Sequence, residues 1–329
     1  MKVLLIGGAG FIGQNIAAQL SSRPDTQITI ADNLFRGKLD DVLQGLVDSG
    51  VKLIVDDFTE LSSFDKLESD YDQVYMLASV VGVKYTEEIP HELIRINTSL
   101  IMNTLDWMSK STCKKILFTS TSENYAGTVE SFGYQVPTPE DVPLCIQDIG
   151  HPRFTYAVTK MLGESAFLNY ARVYPFEATI VRYHNVYGPR MGFKHVIPQV
   201  VQRFIDGEQP FEIMGHDQTR SFNYIDDAVA GTILAMDSAA ANGEIFHIGD
   251  SKAEITIETL IKYIGELCGY EGEFNMGENH SGSVSRRCPD TQKAESLLGY
   301  QPKTEWQDGV KSTVEWYTNY LKNKGDVFE

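Results

Sequence analysis

The chain has 329 residues, of which 42% are hydrophobic and 22% charged, and 28 basic against 45 acidic side chains give a formal charge of −17. This is the composition of a globular protein with a sizeable core, and its acidic surface argues against nucleic acid as a partner. The longest nearly apolar stretch, Val74–Val83, has ten residues, about half of what spans a bilayer, so no membrane segment is expected.

Met1 and Lys2 lead directly into Val3-Leu4-Leu5-Ile6 and then glycines, which reads as a buried strand and not as a signal peptide. Four cysteines, Cys113, Cys145, Cys268 and Cys288, are scattered without a Cys-x-x-Cys pair. A reduced, cytoplasmic protein without disulfides is the expectation. The seven histidines stand at least eleven residues apart, so no local metal-ligand pair exists and no metal is expected.

Strands are expected at Lys2–Ile6, Gln27–Ala31, Val51–Val55, Gln73–Leu77, Lys115–Ser120 and Phe176–Arg182. Helical patterns between them cover Phe11–Ser21, His91–Ser109 and Thr155–Val173. Strands alternating with crossover helices imply an α/β fold, a Rossmann-type doubly wound parallel sheet. Beyond about Gly188 the elements shorten: helices at His195–Gly207, Ile225–Ala240, Thr256–Cys268 and Gly309–Tyr320, with short strands at Phe211–Met214 and Ile245–Ile248. We read residues 1–188 as a dinucleotide-binding domain and 189–329 as mainly a smaller C-terminal α/β substrate lobe, placed over the carboxyl edge of the sheet. Tyr125–Pro152, rich in Gly, Pro and acidic residues, is expected to be a long functional loop.

Gly7-Gly8-Ala9-Gly10-Phe11-Ile12-Gly13 follows the first strand and opens a helix. Gly7 permits the tight turn, Gly10 lets backbone approach a pyrophosphate, and Gly13 allows close helix packing. The helix start at Phe11 and Ile12 offers amide donors and a positive dipole to phosphate. Asp32 ends the second strand nineteen residues past Gly13, where a carboxylate accepts from a ribose 2′-hydroxyl and repels a 2′-phosphate, favouring NAD over NADP. Arg36 stands close enough to soften that exclusion, and Asp57 is a candidate contact for the adenine.

Tyr156-Ala157-Val158-Thr159-Lys160 places a phenol and an ammonium four residues apart on one helix face. A nearby ammonium stabilises phenolate, which would let Tyr156 take an alcohol proton while hydride leaves the same carbon.

With these motifs in place, the chain resembles the extended short-chain dehydrogenase/reductases, and in particular their NAD-dependent nucleotide-sugar epimerase/dehydratase branch. The resemblance runs through Gly7–Gly13, Leu77-Ala78, Asn97, Thr119–Tyr125, Tyr156–Lys160, Arg182–Arg190, Gln218–Asp227 and Arg286–Asp290. It implies a retained NAD, touched also by Asn33, Phe58, Leu77 and Ala78, and a nucleotide diphosphate sugar oxidised at C4 to a ketone. Thr121 takes the place of the family's catalytic Ser or Thr, with Thr119, Ser120 and Ser122 as competitors, Ser122 also as a sugar contact. Glu123 stands where relatives carry a reaction-specific acid or base. Thr121-Ser122-Glu123 looks like the triplet of 4,6-dehydratases and UDP-glucuronate decarboxylases, and simple 4-epimerases need no carboxylate there. Glu123 as a mere orienting or solvated residue stays open.

Asn185, Arg190, Arg220 and Arg287 match positions where relatives hold the diphosphate, and guanidinium forks suit phosphate oxygens. Arg287 aligns with the arginine that decarboxylases direct toward the sugar carboxylate, and Lys84 is a candidate sugar contact. His184 reads as a packing or hydrogen-bonding residue. Asn124-Tyr125-Ala126 departs from the family's Val-Tyr-Gly, and the segment from Tyr125 to Tyr156 is longer than usual. The expected reaction is a 4,6-dehydration or a uronate decarboxylation. The alternatives are epimerisation at C4 (or at C3 and C5), a net dehydrogenase, or a non-catalytic NAD-binding protein. Resemblance also implies a homodimer, joined through His91–Ser109 and Thr155–Val173.

Overall fold

The computed structural model describes residues 1–278 and 284–324. Seven parallel strands form the central sheet: β1 (Lys2–Ile6), β2 (Gln27–Asp32), β3 (Lys52–Val55), β4 (Gln73–Met76), β5 (Lys115–Thr121), β6 (Glu177–Tyr183) and β7 (Ile245–Ile248), in the order β7-β6-β5-β4-β1-β2-β3. The order reverses between β1 and β4, where Leu5 pairs with Tyr75 and Ile6 with Met76. A crevice opens there beyond the strand ends, the usual place for a ligand in such sheets.

Helices α1 (Phe11–Ser21), α2 (Asp41–Asp48), α3 (Val83–Glu88), α4 (Pro90–Met108), α5 (Ala126–Phe132) and α6 (Thr155–Ala171) fall in the first half. They are followed by α7 (Val196–Ile205), α8 (Ile225–Asp237), α9 (Ile257–Cys268), α10 (Gln292–Leu298) and α11 (Trp306–Lys324). Successive side chains of β1 go to opposite faces. Val3 and Leu5 pack with Ile16 and Leu20 of α1 and Val229 and Ile233 of α8. Leu4 and Ile6 share the other core with Leu100, Ile101 and Leu105 of α4 and Phe167 of α6. Phe118 of β5 stacks on Phe167 at 4.7 Å, and a side chain at Gly163 would run into the Phe118 ring. Helix α6 is thereby seated tightly on β5.

A third core lies under α7, α9 and α11, with Phe211, Ile213, Leu260, Ile264 and Val310 buried in it. Above it, Thr219–Ser221 pairs antiparallel with Glu254–Thr256 and parallel with Arg286–Arg287.

Two expectations change. Ile245–Ile248, placed with the lobe by sequence, is the seventh strand of the central sheet, with Phe246 opposite Val181, and α8 ends at Asp237 and packs on that sheet. An isolated four-residue apolar run carries no information about which sheet it joins. Nor is Tyr125–Pro152 a plain loop. It starts with α5, and its later part folds back on that helix, Thr128 Oγ1 donating to the Pro143 carbonyl at 2.6 Å. The same segment ties to the chain around Arg287, for the Thr138 amide donates to the Cys288 carbonyl at 3.0 Å and the Asp290 amide to the Thr138 carbonyl at 2.9 Å. No described helix is long and apolar enough to cross a membrane.

Candidate active site

The turn after β1 has the geometry its glycines suggest. Gly7 sits at φ +83°, and a Cβ there would strike the Ala78 backbone, while one at Gly13 would come within 2.6 Å of the Gly8 Cα. At Gly10 a Cβ would meet only the Gly7 carbonyl oxygen, at 3.4 Å. That face of the turn opens into a cavity of about 840 Å³, lined there by Phe11, Ile12, Asp32, Asn33, Asp57 and Phe58, and across the switch point by Leu77 and Ala78. Asp32 accepts from the Ala9 amide at 3.0 Å and the Leu34 amide at 2.8 Å. Burial pushes its carboxyl pKa up, and these amides oppose the shift.

At the middle of the cavity lie Thr121, Ser122, Glu123, Tyr156 and Lys160. Thr121 ends β5 and caps the turn Ser122–Tyr125 by accepting from the Glu123 amide at 3.2 Å. Of its competitors, Thr119 donates to the Met76 carbonyl at 3.1 Å and Ser120 to Glu164 Oε1 at 2.5 Å. The Thr121 hydroxyl instead faces the phenol of Tyr156 and acts to lower its pKa.

The Tyr–Lys pair differs from its expected form. Lys160 Nζ donates to the Thr119 carbonyl at 2.8 Å and stands 5.6 Å from the centre of the Tyr156 ring. Burial pulls the Lys160 ammonium down to about 7, against the charge of Glu164. The Tyr156 phenol is pushed above its ordinary value by burial and by Glu123, with Arg36 and Thr121 acting in the other direction. Arg36, whose Nη1 donates to the Val81 carbonyl at 3.4 Å, is thus a second cation that acts on the phenol.

Beneath this centre Glu164 gathers four donors: Ser120 at 2.5 Å, Asn124 at 2.9 Å, and Arg182 through Nε at 2.8 Å and Nη2 at 2.6 Å. Arg182 also donates to the Tyr125 hydroxyl, which meets His247 Nε2 at 2.8 Å. One carboxylate thus ties α6 to the turn carrying Thr121 and Glu123. His184 packs edge-on against His247, with ring centres 4.8 Å apart.

At the far end the parallel pairing of Arg286–Arg287 with Thr219–Ser221 sets Arg287 beside Arg220. Arg287 Nη1 donates to Glu123 Oε1 at 2.6 Å. Burial raises the Glu123 pKa, but the charges of Arg287, Arg153 and Arg220 outweigh it and hold the carboxyl below its usual range. Arg220 is fixed by the Thr219 carbonyl at 2.7 Å and Gln218 Oε1 at 2.9 Å, and burial with the neighbouring guanidiniums brings it down to about 10. Asn185, at φ 37°, donates to the Ser221 carbonyl at 2.8 Å. Arg190 lines the cavity and pairs with Asp40. Lys84 is not brought there: it lies on α3, half exposed, with Glu88 Oε2 at 3.8 Å.

Sequence reasoning missed Arg153, His195, Trp316 and Tyr320, which also line the cavity. Arg153 lies on the turn Pro152–Phe154 that leads into α6, three residues before Tyr156. The two α11 aromatics stack at 5.0 Å, and nothing in their spacing distinguishes them from core residues. His195 is pulled down to about 4, by burial and then by Arg36.

An open glycine turn at the start of α1, a carboxylate at the end of β2 and a continuous cavity from there to Tyr156 fit a dinucleotide. Residues 3–249 match the NAD dependent epimerase/dehydratase family. The chain is 33% identical to a UDP-N-acetyl-alpha-D-glucosaminuronate decarboxylase of Bacillus cytotoxicus, covering 96% of this chain and 97% of that protein. It is 31% identical to UDP-glucuronic acid decarboxylase 5 of Arabidopsis thaliana, over 94% and 87% of the two chains. Among solved structures, the UDP-glucose 4-epimerase of Thermotoga maritima superposes with a TM-score of 0.83 at 28% identity, covering 98% of this chain and all of that one. The glycine turn, the Tyr–Lys helix and the match across most of the chain give one conclusion: this protein belongs to the NAD-dependent epimerase/dehydratase family, as an enzyme that uses NAD to modify nucleotide sugars.

Proposed function

We propose that the enzyme decarboxylates a UDP-linked uronic acid through a 4-keto intermediate. The observation that carries this reading is the ionised Glu123 beside Tyr156 and Thr121, held by Arg287 at 2.6 Å and faced by two more guanidiniums. An arginine-rich pocket in a chain of charge −17 suits a substrate with more negative charge than a neutral sugar nucleotide. The likeness to two uronate decarboxylases supports the same reading.

Bound NAD supplies the hydride acceptor at C4 and the hydride that reduces the ketone at the end. Gly10 and the start of α1 would hold its pyrophosphate, and Asp32 its ribose. Tyr156, acting as the phenolate that Arg36 and Thr121 favour, takes the C4 hydroxyl proton. With a ketone at C4, the carboxylate at C6 is that of a β-keto acid. The C5–C6 bond breaks, its electron pair enters the C4–C5 enolate, and carbon dioxide leaves. Tyr156 and Thr121 face the enolate oxygen with hydrogen-bond donors. Glu123, kept ionised, is an acceptor, and it orients the water that delivers a proton to C5.

Product analysis tests this. Purified protein is incubated in D₂O with UDP-glucuronate, UDP-N-acetylglucosaminuronate and UDP-glucose, and products are read by mass spectrometry and NMR. Loss of carbon dioxide with deuterium at C5 is the expected result; loss of water overturns it in favour of a dehydratase. The likeness to the Thermotoga maritima enzyme favours 4-epimerisation as the second reading, marked by inverted C4, unchanged mass and no deuterium.

A further inference from the structure

Three guanidiniums, those of Arg153, Arg220 and Arg287, act on the single carboxylate of Glu123. Glu130 is the other acid that acts on Arg220, and its carboxylate accepts from the Ser285 amide at 3.0 Å and hydroxyl at 3.2 Å. Positive charge is in excess at this end of the cavity.

The three arginines are held differently. Arg287 is bound to Glu123, and Arg220 is fixed by Thr219 and Gln218. Both stand on the paired strands of the lobe. Arg153 comes from the other side, on the turn Pro152–Phe154 that leads into α6. Its Nε is buried without a hydrogen-bond partner, and the residue lines the cavity. A buried N–H left unbonded is unfavourable, so its position is best explained by a ligand that accepts from it.

Place in the chain says which part of a substrate that would be. Arg153 precedes Tyr156 by three residues, on the turn Pro152–Phe154 that runs directly into the start of α6, and both residues line the same cavity. Tyr156 addresses the oxygen on C4. The substituent on C5 is the neighbour of that carbon, whereas the diphosphate is attached across the ring at C1. We propose that Arg153 is a specificity-determining residue that binds the C6 carboxylate of a uronic acid through a two-pronged guanidinium–carboxylate contact, so that the enzyme selects uronates over neutral hexoses. This rests on the uronate reading given above and deepens it. Arg220 and Arg287 are left for the diphosphate and for Glu123, which divides the anions of the substrate between the lobe and the start of α6.

The experiment is equilibrium binding of UDP, UDP-glucose and UDP-glucuronate to NAD-loaded wild type, R153A and R153K, by titration calorimetry. Wild type is expected to bind UDP-glucuronate more tightly than UDP-glucose. R153A should weaken UDP-glucuronate roughly 10- to 100-fold, the range for a lost charged hydrogen bond. It should leave UDP and UDP-glucose within about twofold. R153K keeps the charge without the fork and should recover part of the loss. Equal weakening of all three ligands by R153A or R153K overturns the proposal, because Arg153 then serves the diphosphate or the local fold. A uronate preference that survives in R153A overturns it too. A wild type with no uronate preference is a different result, which removes the uronate reading itself. Should R153A fail to fold, the same comparison is made on R153K, and an unchanged uronate preference together with unchanged uronate affinity in that variant counts against the fork.

Discussion

Glu123 and Arg287 are 164 residues apart in the chain and 2.6 Å apart in the fold. The pair joins the end of β5, where the chemistry is placed, to the lobe strand that faces it. Because Arg287 keeps the carboxylate ionised, Glu123 serves as an acceptor beside the sugar. E123Q is therefore expected to lower overall turnover by roughly 10²–10⁴-fold, the range for a lost acid–base group, while C4 oxidation survives. The measurement is the near-ultraviolet absorbance of reduced nicotinamide after substrate is added. Accumulating reduced cofactor is the expected outcome, and unchanged turnover would make Glu123 a bystander.

Tyr156 acts one step earlier. Y156F retains the ring and removes the hydroxyl that faces Thr121. The account expects no reduced cofactor to form and turnover at least ~10²-fold lower, with UDP affinity unchanged in the same preparation. Normal cofactor reduction in Y156F would assign the base elsewhere.

The lowered pKa of Lys160 makes a statement about stability. Its folded value is about 7 against an ordinary 10.5, so between those pH values the unfolded chain binds more protons. Stability from this group thus rises with pH through that window and is least below pH 7. Relative to wild type, K160M should be most favoured at low pH. Its advantage should shrink by up to roughly 1.4 kcal/mol per pH unit as pH rises toward 10.5. Urea unfolding of the NAD-free proteins at several pH values checks this; a pH-independent difference contradicts it.

Glu164 and Arg182 form a buried pair, each side chain at most 5% exposed. E164Q leaves the guanidinium unpaired and should destabilise by about 3–5 kcal/mol, whereas E164M/R182M should fall short of the sum of its single variants. Chemical denaturation of the four proteins measures both. An E164Q variant as stable as wild type would show that the carboxylate does not hold α6 to the turn below the site.

The two glycines of the dinucleotide turn should separate folding from binding. G13A pushes a methyl toward the Gly8 Cα and should unfold or strongly destabilise the protein, while G10A adds a methyl on the cavity side. G10A is expected to keep wild-type thermal stability without cofactor and to purify with less bound NAD. Equal NAD content in G10A and wild type would count against pyrophosphate at this turn.

Much of the first half was legible in sequence because its elements are periodic and bounded by glycine. Helix α1 has both expected ends, and α4 and α6 begin within a residue of theirs. The cavity joins the glycine turn to Tyr156 and Lys160 because both follow from local spacing. What was not legible depends on contacts between distant segments. Ile245–Ile248 joins β6 only after the chain has passed through α7 and α8, and no short-range signal announces that return. Spacing places Lys160 and Tyr156 on one face, but where the ammonium points is decided by the Thr119 carbonyl at the end of β5. Arg153 escaped for the same reason: its significance lies in Glu123, whose carboxylate it faces from another part of the fold.

The central claim is that a uronate loses its carboxyl carbon here. The most direct measurement uses UDP-glucuronate and UDP-N-acetylglucosaminuronate with an isotopic label in the carboxyl group, incubated with the NAD-loaded enzyme. The account predicts that the label from at least one of them appears as carbon dioxide, in step with a UDP-pentose or UDP-aminopentose product whose C4 configuration is retained. Label kept in the sugar while C4 inverts would contradict it and make the enzyme a 4-epimerase.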